Sequence, residues 1–88
     1  MTLFIIERNF AEQLEFTSEG AAELTEINDE VGVKWLISFL TADKRKTYCL
    51  YEADNMEAIR EAARRGHVPA DEIIEVTEHR PEWLLAAR

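Results

Sequence analysis

At 88 residues the chain forms one domain, and a chain this short buries only about 60 to 65% of the surface that it exposes when unfolded. A hydrophobic fraction of 47% with 32% charged residues excludes a disordered tail, and a net charge of −8 argues against a nucleic-acid partner, because displacing counterions from phosphates needs clustered Lys and Arg. No apolar run approaches the ~20 residues that span a bilayer, no signal-peptide pattern opens the chain, and a single cysteine forms no internal disulfide, so the expectation is a cytoplasmic protein without a membrane partner.

In chain order, Leu3-Phe4-Ile5-Ile6 is apolar at successive positions and predicts a central strand buried on both faces, closed by Glu7 and Arg8. Thr17 or Ser18 then offers an N-cap, with Glu19 at the positive end of the helix dipole. Leu24, Ile27 and Val31 recur at helical spacing, and Gly32 supplies the stop. Val33 to Thr41 and Thr47 to Ala53 are rich in β-branched and aromatic residues on either side of the polar Ala42-Asp43-Lys44-Arg45-Lys46, which predicts a hairpin.

Asp54-Asn55-Met56-Glu57 resembles a capping box, and a helix with a narrow stripe of Ala58, Ile59, Ala62 and Ala63 follows. Gly66 suits the left-handed residue that ends it, and Pro69 prevents its resumption. Ile73 to Glu78 reads as a last strand. The order β-α-β-β-α-β predicts an α+β, ferredoxin-like domain over residues 1–79, with a four-stranded antiparallel sheet in the order 4-1-3-2 and both helices on one face. Residues 80–88 form a C-terminal tail or short helix that starts at Pro81.

Side chains alternate along a strand, so each strand divides between two faces. Strict alternation sets Val33, Trp35, Ile37 and Phe39 against Leu36 and Leu40, and Tyr48 and Leu50 against Cys49 and Tyr51. Both faces are apolar, yet two helices cover only one. The other is expected to meet a second copy in a homodimer, a dimeric α+β barrel with a pocket between the sheets. The competing expectation is that Trp83-Leu84-Leu85 folds over its own sheet.

The topology brings Glu7, Tyr48 and His67 to one edge of the domain, and Lys34, Glu52 and His79 to the other. Carboxylate, phenol and imidazole together suit a divalent first-row metal, which makes Glu7, Tyr48 and His67 the candidate metal ligands. Cys49 sits mid-strand, where a thiol is usually a small buried hydrophobe. With Trp35 and Tyr51 it is also the candidate lining of a pocket for a small organic molecule. No Ser-His-Asp spacing, Gly-rich phosphate loop, CxxC pair or HExxH helix occurs, and no catalytic residue is assigned.

The hairpin also carries a resemblance. Trp35-Leu36-Ile37-Ser38-Phe39, the Lys46-Thr47-Tyr48-Cys49-Leu50-Tyr51-Glu52-Ala53 core, Glu57 to Ala63, Val68-Pro69-Ala70-Asp71 and the opening Ile6-Glu7-Arg8-Asn9-Phe10 closely resemble a bacterial family of small ferredoxin-like domains of unknown function. Its described representative is an actinomycete nickel-binding protein. The resemblance runs from about Leu3 to Val76 and implies a ferredoxin-like fold, dimerisation and nickel as the bound metal. It does not imply an enzyme. The functional expectation is a small protein that binds nickel or another divalent metal, with binding or conversion of a small organic molecule as the alternative.

Overall fold

The computed structural model describes residues 1–87. Its elements are β1 (Thr2–Asn9), α1 (Ser18–Val31), β2 (Lys34–Leu40), β3 (Lys46–Ala53), α2 (Met56–Gly66), β4 (Glu72–Val76) and α3 (Pro81–Ala86). The strands form one antiparallel sheet in the order β2-β3-β1-β4, which is the expected order read from the other edge.

Local chemistry accounts for most boundaries. The Thr17 hydroxyl accepts from the Gly20 amide at 3.0 Å to open α1, and Gly32 closes it at φ 75°, a backbone region that costs an L-residue about 1–2 kcal/mol. The Asn55 side chain accepts from the Ala58 amide at 2.9 Å to open α2. At the other end of α2 the left-handed position is filled by His67, at φ 55°, and Gly66 is the last helical residue. Gly66 serves close approach instead: a Cβ there would stand 2.8 Å from Leu24 of α1.

β1 does not stop at Glu7. It runs to Asn9, and Arg8 follows Phe4 and Ile6 onto the face covered by α1 and α2. There Phe4, Ile6, Val33, Cys49, Tyr51, Ala53 and Ile59 make the core, and burying Ile6 or Ile59 completely contributes about 1.5–3 kcal/mol each. β2 departs from strict alternation. Its pairing with β3 steps from Trp35↔Tyr51 to Ile37↔Leu50, so Leu36 is an extra residue at a β-bulge. Beyond it Ser38 and Leu40 lie on the covered face with Trp35, whereas Ile37 and Phe39 lie on the open face. A bulge shifts the two-residue period by one, which overturns the expected grouping of Ile37 and Phe39 with Trp35.

The open face carries Ile37, Phe39, Tyr48 and Ile74 in an exposed apolar patch. α3 begins at Pro81 as expected, but Trp83, Leu84 and Leu85 are 52 to 61% exposed, so the tail does not cover that face.

Candidate functional site

A cavity of about 130 Å³ lies between the covered face of the sheet, α1 and the segment of residues 10–17. The strands supply Arg8, Trp35, Cys49 and Tyr51, and the segment supplies Leu14 and Phe16. That segment has no regular structure, yet it is pinned to the hairpin loop. The Phe10 amide donates to the Arg45 carbonyl at 2.8 Å, the Leu14 amide to the Lys44 carbonyl at 2.7 Å, and the Arg45 guanidinium to the Ala11 carbonyl at 2.6 Å. These bonds hold apolar side chains over the sheet that the helices alone leave uncovered.

A chain of polar contacts runs along the sheet side. The Trp35 indole N–H donates to Ser38 Oγ at 2.7 Å, the Ser38 hydroxyl donates to Cys49 Sγ at 2.9 Å, and the thiol approaches Thr47 Oγ1 at 3.6 Å. The bulge makes this possible, because it turns Ser38 to the covered face opposite Cys49. Cys49 is buried with its sulfur engaged by hydroxyls, the setting of a structural thiol rather than a nucleophile. Trp35 stacks on Tyr51 with centroids 6.4 Å apart and planes 11° from parallel, and Phe16 adds a tilted ring at 6.4 Å from Trp35.

Arg8 is the unusual member. It is 6% exposed, its Nη1–H donates to the Pro69 carbonyl, and its Nη2 reaches the Tyr51 hydroxyl at 3.4 Å. The guanidinium also lies 5.7 Å from the centroid of the Tyr51 ring. None of the ion pairs among the described residues involves Arg8. Burial pushes the Tyr51 phenol above its ordinary pKa, against the opposing pull of the Arg8 charge, so Tyr51 is a neutral hydroxyl at physiological pH. Nearby Asn28 is buried on α1, and its Nδ2 has no hydrogen-bond partner.

The structure therefore brings Trp35, Cys49 and Tyr51 around one cavity, inside a single chain rather than between two sheets. The reason is the pleat: the three residues face α1, and the opposite face of the same strands is the open one. Glu7, Tyr48 and His67 do not converge. Glu7 and Tyr48 are register partners on the open face, where Lys46 Nζ stands 3.7 Å from Glu7 and 5.9 Å from the Tyr48 ring centroid. His67 is exposed at the end of α2, on the far side of the sheet.

At the opposite edge Lys34 and Glu52 do pair across β2 and β3, but His79 lies beyond β4, beside Thr77 at 2.9 Å. Among the described residues no group of three or more His, Cys, Asp or Glu side chains is placed to hold a metal ion, and one chain offers nickel no enclosing donor set. Sequence reasoning missed Arg8 and Ser38. Arg8 was detectable, since it falls two residues after Ile6 and four after Phe4, but a charged residue reads as a strand end.

No helix among the described residues is long and apolar enough to cross a membrane. No curated protein matches the chain. Its fold is similar to the crystal structure of SCO4226 from Streptomyces coelicolor A3(2), with a TM-score of 0.69 and 21% identity over 89% of this chain and 99% of that one. A family profile described as nickel responsive protein SCO4226-like matches residues 4–76, the span from β1 to β4 that includes every strand residue of the cavity. The chain therefore belongs to the SCO4226-like family of nickel responsive proteins.

Proposed function

We propose that the protein is a small cytoplasmic binding protein that takes one small organic molecule into the cavity between α1 and the sheet. The observation that carries this reading is a ring-sized space walled by Trp35, Cys49 and Tyr51 in a domain with little core to spare. Protein interiors are normally close-packed, and an engineered apolar cavity of about 150 Å³ holds benzene. A stability-shift screen against aromatic and quinone-like compounds tests it. A ligand that binds only the native state raises the melting temperature by mass action, and a panel without any shift overturns the reading.

The reading includes a second copy of the chain on the open face. Ile37, Phe39, Tyr48 and Ile74 leave several large apolar side chains in contact with water on one flat surface, which sheet-to-sheet packing in an α+β barrel would cover. Sedimentation at low micromolar concentration is expected to return twice the chain mass, and a monomer sinks this part.

Family membership supports a second reading, nickel binding, because the family is named for nickel response. The residues of one chain do not fit the metal on their own, with Glu7 paired to Lys46 and His67 remote from Tyr48. Calorimetric titration of nickel into untagged protein tests it. The control is His67→Gly, because glycine removes the imidazole without straining a left-handed residue. Binding no tighter than millimolar removes nickel as a ligand.

A further inference from the structure

We propose that the ligand of the cavity is a small amphipathic organic anion, its negative group against Arg8 and its apolar body against Leu14, Phe16 and Trp35. The inference rests on the small-molecule reading above and names the class of ligand.

A buried charge is costly unless a counter-charge or several hydrogen bonds meet it. Arg8 carries five N–H donors, and its acceptors are the neutral Pro69 carbonyl and the neutral Tyr51 hydroxyl, the latter at only 3.4 Å. The nearby acidic side chains are committed elsewhere. Glu15 lines the cavity but pairs with Lys44 at 3.6 Å near the surface, Asp71 Oδ2 accepts from the Asn9 amide at 2.6 Å, and Glu7 points to the open face. A buried guanidinium with neutral acceptors and no carboxylate partner, at the wall of an apolar cavity, matches a carboxylate ligand, which guanidinium groups bind by two parallel hydrogen bonds.

The net charge of −8 opposes any anion at long range. At physiological ionic strength that field decays over about 8 Å, whereas a bound carboxylate would touch Arg8 directly in a shielded site, so the local attraction decides. The size of the cavity limits the body to about one ring or a short branched chain.

The test compares benzoate with benzamide, a neutral compound of nearly the same shape, and with acetate, which has the charge but no body. Titration of each into the full chain is expected to show benzoate at least 10-fold tighter than either. In Arg8→Met the preference for benzoate over benzamide disappears while benzamide binding persists. Should Arg8→Met fail to fold, nitrogen-15 NMR of the unsubstituted protein replaces it: the Arg8 Nε–H signal moves with benzoate and stays in place with benzamide. Equal binding of benzoate and benzamide, equal binding of acetate and benzoate, an unmoved Arg8 signal, or no benzoate binding each overturns the anion inference. The small-molecule reading then stands or falls separately on the neutral aromatic and quinone-like compounds of the wider screen.

Discussion

The two faces of the sheet are made of alternate residues of the same strands, and they handle polarity in opposite ways. The face under the helices buries Phe4, Ile6, Cys49 and Tyr51, and it also buries the polar Arg8 and Thr47. The other face exposes Ile37, Phe39 and Ile74 at 47, 61 and 49% and keeps Glu7 paired with Lys46 near the strand ends. Apolar content does not distinguish the faces. What covers them does: a covered face can hold polar groups because partners are packed against them, and an uncovered apolar face has only water.

Truncation measures that difference most sharply. Ile6→Ala is expected to cost about 2–5 kcal/mol, because the side chain is fully buried and the surrounding core relaxes only partly. At about 4–8 °C per kcal/mol for a domain of this size, thermal unfolding should fall by at least about 8 °C. Ile37→Ala, on the open face, should cost under about 1 kcal/mol in a chain diluted below its association range. A loss at Ile37 as large as at Ile6 would break the comparison.

Phe39→Lys should leave the helix content of the isolated chain unchanged and abolish the proposed dimer in sedimentation, since it places a charge in the middle of the patch. Persistence of the dimer would place the interface elsewhere. Ser38→Ala, expected to cost about 1 kcal/mol in chemical unfolding, leaves the half-buried Trp35 N–H without its acceptor and Cys49 without its donor. If the bulge were not the element that places Ser38, the substitution would be neutral.

The smallest effect lies outside both faces, on the solvent side of α2. Hydrogen bonds from Arg64 and Arg65 hold the Glu61 carboxyl at about 2, against an ordinary 4.5. A folded-state value below the unfolded one gives stability that is present above about pH 4.5 and is lost as the pH falls toward about 2. Glu61→Gln should therefore flatten the acid limb of helix loss by circular dichroism over that window. Because the group is exposed, added salt should shrink the difference between the two proteins.

Much of the fold was legible in the residues. Thr17 and Gly32 mark the ends of α1, Pro81 starts α3, and the hairpin runs stand on either side of Asp43-Lys44-Arg45 as their composition requires. The end of α2 was displaced by one residue because His can occupy the left-handed region as well as Gly, and close packing against Leu24 gave Gly66 a different reason to be small. For the candidate site, the cluster of Trp35, Cys49 and Tyr51 follows from alternation and register. The metal set fails because ends of elements at one edge of a domain can still lie on opposite faces of a sheet, as Glu7 and His67 do.

Element order, the N-caps of α1 and α2 and the alternation of β1 and β3 are short-range properties, settled by neighbours within a few positions, and the sequence alone determined them. Three features needed the packed chain. The bulge at Leu36 exists only in the pairing of β2 with β3, and it decides that Ser38 turns inward and Phe39 outward. Arg8 is buried because the Pro69 carbonyl, 61 positions away, meets its guanidinium. The cavity exists because hydrogen bonds from residues 10–17 reach the hairpin loop some thirty residues away, holding Leu14 and Phe16 over the sheet. Each depends on contacts between distant segments, and no local period in a sequence records such contacts.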